Sequence, residues 1–95
     1  MDPTLQINQR VSVVTLFRDK ATSEQAELCM PIKMRYQGRD VSFSELGLRH
    51  PTSAGQRMVH IFDVSDGDND YRLSFDAETL SWTLVTMIEG HHARA

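Results

Sequence analysis

The chain has almost no cysteine: Cys29 is the only one in 95 residues. A single thiol forms no intrachain disulfide and no multi-thiolate zinc site, so packing and hydrogen bonds must hold the fold, and a reducing, cytoplasmic setting is expected. Long apolar runs are missing as well. Nothing reaches the length of a bilayer-spanning helix, and the opening MDPTLQINQR is too polar for a signal peptide, so no membrane role is expected. An excess of positive charge is also lacking. Ten Lys and Arg stand against 13 Asp and Glu, for a net charge of −3, which disfavours a broad phosphate-binding surface. Proline and glycine are scarce, at three and five, which excludes a low-complexity or linker composition.

What is present is a globular balance, 40% hydrophobic and 24% charged. The length suits one core, expected over residues 9–89 between flexible segments 1–8 and 90–95. A domain this small has few apolar side chains to spare for an enclosed substrate cavity, which weighs against an enzyme.

The chain reads as a series of strands. QRVSVVTLF, Gln9 to Phe17, is rich in β-branched residues. The segment 22–28 fits either a short helix capped by Thr22 or Ser23 or a loop. After Pro31, Ile32, Met34 and Tyr36 alternate with Lys33, Arg35 and Gln37; Gly38 marks a turn, and Val41 and Phe43 resume the apolar face. From Glu45 to Gln56, Gly47, Pro51 and Gly55 suggest a long irregular connection. Three further strands follow in RMVHIFDV, YRLSF and LSWTLVTMI, with Tyr71, Leu73 and Phe75 sharing one face and Leu80, Trp82, Leu84 and Ile88 another.

The expected fold is therefore all-β: a single antiparallel domain of five or six strands, curled into a small barrel or a strongly twisted meander. Its expected core is Met34, Phe43, Ile61, Tyr71, Leu73, Phe75, Trp82 and Leu84. The layout MPIKMRYQGRDVSF followed by DYRLSFDAETLSWTL resembles small bacterial β domains of unassigned function. That resemblance implies a fold and no activity.

The acidic stretch DVSDGDND, Asp63 to Asp70, invites a metal reading. A calcium loop of the EF-hand type needs glycine at its sixth position and glutamate at its twelfth. Counting from Asp66 puts Tyr71 and Ala77 there, and counting from Asp63 puts Asp68 and Ser74 there. Gly67 instead suits a tight reversal. The stretch reads as a hairpin loop, and neither metal nor cofactor is expected. His50, His60, His91 and His92 lack metal-ligand spacing. Cys29 lies in no nucleophile motif, and Asp63 and Asp76 read as strand-end acids. No catalytic residue is assigned.

Two binding surfaces remain. The segment 45–56 places Arg49 and His50 beside Leu46 and Leu48, a mixture of cation and apolar anchor suited to a protein partner. The alternative is a single-stranded nucleic-acid face of Lys33, Arg35, Arg39 and Arg72, with Tyr36 or Trp82 at its edge for base stacking. Charges of both signs on such a face more often serve solvation or cross-strand pairing. The expectation is a non-catalytic module that binds a protein, with oligomeric state left open.

Overall fold

The structure, a computed structural model, describes residues 4–19, 29–54 and 57–90, with the backbone alone over 48–54 and 57–58. The segment 22–28, read as helix or loop, and the tail beyond Gly90 lie outside the described residues. Seven strands are present: β1 (Thr4–Phe17), β2 (Cys29–Tyr36), β3 (Arg39–Ser42), β4 (Glu45–Ala54), β5 (Arg57–Ser65), β6 (Asp70–Asp76) and β7 (Ser81–Ile88). All pair antiparallel in one sheet of order β3-β2-β1-β7-β6-β5-β4.

This order forces the sheet to curl. β3 and β4 are its two opposite edges, yet only Phe43 and Ser44 join them. Two residues span at most about 7 Å, so the edges must come round towards each other. The Phe43 amide donates to the Ile32 carbonyl on β2 at 2.9 Å, and the Ser44 amide donates to the Ser65 carbonyl on β5 at 2.8 Å. One short link thus grips both ends of a seven-stranded half-barrel.

The inward faces meet as alternation predicts. Val11, Met34, Tyr36, Val41, Phe62, Val64, Tyr71, Leu73, Phe75, Trp82 and Leu84 form the buried core. Within it Trp82 packs with ring centroids 4.9 Å from Phe75 and 5.3 Å from Phe62. The tilted arrangement suits the quadrupoles of the rings.

The structure corrects several expectations. The segment 45–56 is mostly strand: β4 is an edge strand, the place in a sheet that tolerates proline such as Pro51, and Gly47 sits in a bulge. A Cβ at Gly47 would stand 3.0 Å from the Asp63 carbonyl oxygen, a tight approach that favours glycine. β1 begins at Thr4 instead of Gln9, because Thr4, Leu5 and Gln6 pair with β7. Ile32 is an extra residue in β2 between two paired positions, Val14 with Lys33 and Thr15 with Pro31; it is left 39% exposed while Pro31 turns inward. Ile61 is only half-buried, since Phe62 and Val64 occupy the inner face. Leu80 is 75% exposed at a φ of 58°, part of the turn before β7 and not of its apolar face.

Candidate functional site: the β4 edge and an outer groove

Among the described residues, β4 presents ten residues bonded on one side only. Of the residues expected to bind a partner, Leu46 lies opposite Val64 and packs against the core, so it anchors the strand and is not displayed. Leu48 occupies the bulge, Arg49 pairs with Phe62 and His50 with Ile61. The side chains of these three are outside the described residues. Edge strands expose a row of backbone donors and acceptors, which is itself a template for another strand.

Beside this edge the outer face of the sheet is concave. The cause is a line of irregularities crossing the strands. Between matched pairs, β4 carries Gly47 and Leu48 against the single Asp63 of β5. β7 carries Val85 where β6 has no extra residue, and β1 carries Ile7 and Asn8 against Val85. Bulges bend a strand and increase its twist, so aligned bulges fold the sheet along one line. A groove of about 560 Å³ opens there.

Two cross-strand rows floor the groove. The first runs Thr4, Ile88, Asp70, Ser65, Glu45. The second runs Gln6, Thr86, Arg72, Asp63 and reaches the bulge at Gly47. Within the second row, the Arg72 guanidinium donates twice to Asp63, Nε to Oδ1 at 2.8 Å and Nη2 to Oδ2 at 3.1 Å. This bidentate bond raises the Arg72 pKa further above its ordinary value, against a smaller opposing effect of burial. The pair holds a fixed shape. Sequence reasoning missed Thr4, Gln6, Thr86 and Ile88, because only the long-range β1–β7 register brings them alongside Arg72.

The acidic stretch is a hairpin loop, as its sequence suggests. Asp66 Oδ1 accepts the amides of Asp68 at 2.8 Å and Asn69 at 2.7 Å, and Oδ2 accepts the Tyr71 hydroxyl at 2.9 Å. Gly67 takes a φ of 98°, and its amide donates to Ser65 Oγ at 3.0 Å. Burial pushes the Asp66 carboxyl up, but the amides of Asn69 and Asp68 and the Tyr71 hydroxyl outweigh it and hold the pKa below the ordinary aspartate value. Burial, with help from Asp66 and against the opposing effects of Asn69 and Arg39, pushes Tyr71 up to about 12. Among the described residues, no three of His, Cys, Asp and Glu gather to hold a metal ion.

The proposed nucleic-acid residues are not brought together. Lys33, Arg35 and Arg39 lie on the β2–β3 hairpin, whereas Arg72 is on β6, beyond β1 and β7. Asp40 stands 4.0 Å from Lys33 and 3.3 Å from Arg35, and Arg72 is engaged by Asp63. Tyr36 and Trp82 are buried and offer no stacking face.

The acid Asp76 does a structural task. Asp76 Oδ1 accepts the amides of Glu78 at 2.9 Å and Thr79 at 3.3 Å, making the turn into β7. Asp63 lies four β5 positions from the residue paired with Asp76, roughly 13 Å along the strand, outside the spacing of an acid and base pair in glycoside hydrolysis. Cys29 packs against the core. Among the described residues, no helix is long and apolar enough to cross a membrane. Comparison with protein families, curated proteins and solved structures gives no match for this chain.

Proposed function

We propose that the protein is a non-catalytic cytoplasmic module that binds a partner protein along the β4 edge. The observation that carries this reading is the half-open sheet: among the described residues, the ten of β4 are bonded on one side only. Strand addition at such an edge draws affinity from backbone bonds and specificity from the flanking side chains, here including Arg49 and His50. The absence of catalysis is supported by the polar groups themselves. Asp63, Asp66 and Asp76 are committed to holding a strand pair, a loop and a turn.

Affinity capture with the whole chain as bait tests the reading. Arg49→Ala with His50→Ala is expected to leave the melting temperature nearly unchanged and abolish capture, with wild-type capture insensitive to salt. A loss of stability above about 2 kcal/mol would make the segment structural. Capture of nucleic acid that falls steeply with salt would favour a phosphate-binding face.

A further inference from the structure

We infer that Asp66, followed by Gly67, is a site of spontaneous covalent modification, isomerisation to isoaspartate, and that the folded β5–β6 loop is the lock that restrains it. This goes beyond the edge reading and stands whatever β4 binds.

The chemistry lies in the sequence. An aspartate followed by glycine occurs once in the chain, at 66 and 67, and an asparagine followed by glycine does not occur. Glycine has no side chain to screen its amide, so the Gly67 nitrogen can attack Asp66 Cγ. The new N–Cγ bond closes a five-membered imide, and the amide proton and the carboxyl hydroxyl leave together as water. Water then reopens the ring. Addition at Cγ restores aspartate, whereas addition at the backbone carbonyl carbon of Asp66 leaves the chain running through Cβ and Cγ. No oxidant, metal or enzyme is needed, and the mass is unchanged.

The structure opposes this attack at both partners. The carboxyl must be protonated, because hydroxide leaves more readily than oxide, and it must turn onto the Gly67 nitrogen. Instead Oδ1 is held by the amides of Asp68 and Asn69, and Oδ2 by the Tyr71 hydroxyl. Donors of this kind favour the ionised form, in line with the lowered pKa. The Gly67 amide is engaged as well, donating to Ser65 Oγ at 3.0 Å. Ser65 is itself fixed, since its carbonyl accepts the Ser44 amide at 2.8 Å and the Ser44 hydroxyl at 3.3 Å. Reaction must wait for the loop to open, and Gly67 and Asp68 are exposed, so that opening is local and not global.

The product cannot rebuild the loop. One more carbon enters the backbone between residues 66 and 67, and the carboxylate that gathered three donors now hangs directly from the α-carbon. The lost bonds adjoin the Ser44 and Ser65 contact that holds the two sheet edges together. Damage at one exposed peptide thereby reaches the seam of the half-barrel.

The test incubates the whole chain at neutral pH, folded and in denaturing urea. Isoaspartate is followed by enzymatic methylation and located by maps with an aspartate-directed protease, which does not cut before an isomerised residue. In urea, isoaspartate should accumulate at Asp66 ahead of every other aspartate. In the folded chain the rate should be at least about tenfold lower. Tyr71→Phe keeps the ring and removes one donor, and Ser65→Ala releases the Gly67 amide. Each should raise the folded rate about threefold and leave the rate in urea unchanged. If Tyr71→Phe fails to fold, Ser65→Ala and the ratio of folded to urea rates decide the matter. Equal rates in the folded chain and in urea, or folded variants that isomerise no faster than wild type, would overturn the lock. Isoaspartate arising first at another aspartate would overturn the site.

Discussion

The strands β5, β6 and β7 and the strands β1, β2 and β3 share an antiparallel design and treat their apolar residues differently. The first group supplies seven of the eleven buried core residues: Phe62, Val64, Tyr71, Leu73, Phe75, Trp82 and Leu84. The second supplies four and also carries five of the six large exposed hydrophobics among the described residues, Leu5, Val14, Leu16, Phe17 and Ile32. Along β5 and β6 the period of two stays in phase with the core, as it does along β7 up to Leu84. In β2 the extra Ile32 puts Cys29 and Pro31 on the inner face out of step with Met34 and Tyr36, whereas in β1 Val14 and Leu16 fall on the outer face by alternation with Val11 and Val13. The same residue types thus stabilise one half and remain wet in the other. Phase decides this, not composition.

The sharpest way to break that contrast is truncation on both sides. Trp82→Ala should cost about 3–5 kcal/mol and Leu73→Ala about 2–5 kcal/mol. Val14→Ala and Ile32→Ala, at 53% and 39% exposure, should stay within about 0.5 kcal/mol. Urea unfolding midpoints measure all four. Comparable losses on the two sides would show that the β1–β2 outer face is covered and that the contrast is false.

A smaller effect is expected at the loop that joins β5 to β6. Asp66→Ala should cost about 2 kcal/mol, since three charge-assisted acceptor bonds are lost at a partly exposed site. The pH dependence has a definite sign. With its folded pKa lowered, Asp66 contributes stability above the ordinary aspartate range, and that contribution disappears as pH falls through the folded value. Tyr71, raised to about 12, contributes below about pH 10 and loses that contribution as pH rises towards 12. Melting temperature against pH should therefore fall at both extremes, and Asp66→Asn should flatten the acid limb. An unchanged acid limb would place the acid-sensitive group elsewhere.

A smaller effect than that of Asp66 belongs to the groove floor. Arg72 and Asp63 are bidentate but half-exposed, and a double-mutant cycle with Arg72→Met and Asp63→Asn should give a coupling of about 1 kcal/mol or less. A larger value would mean that the groove is drier than its exposure implies.

The parts of this fold that were legible in the sequence are those with local causes. Alternation placed Met34, Tyr71, Leu73, Phe75, Trp82 and Leu84 inside, and Gly67 marked the reversal between β5 and β6. A bulge has no such signature: nothing in PIKM distinguishes Ile32 as the residue that slips out. β4 was hidden because Gly47 and Pro51 read as breakers, although an edge strand tolerates both. The groove was invisible for a further reason. Its rows join Thr4 to Glu45 through five strands, and only the completed sheet defines them.

The link through Phe43 and Ser44 also has a consequence for how the chain assembles. In sheet order the strands run β4, β5, β6, β7, β1, β2, β3, which is a plain up-and-down meander read from the wrong starting point. A chain opened between Phe43 and Ser44, with a short linker carrying Gly90 back to Thr4, would place every strand beside its sequence neighbour. The β1–β7 pairing, with Thr4 opposite Ile88, is the most distant contact in the natural order and would become a local hairpin. Folding rates rise as contacting residues come closer in sequence. Such a permuted chain should reach the same half-barrel faster, with the loop-closure entropy of the natural search removed and the tether between the two free edges cut.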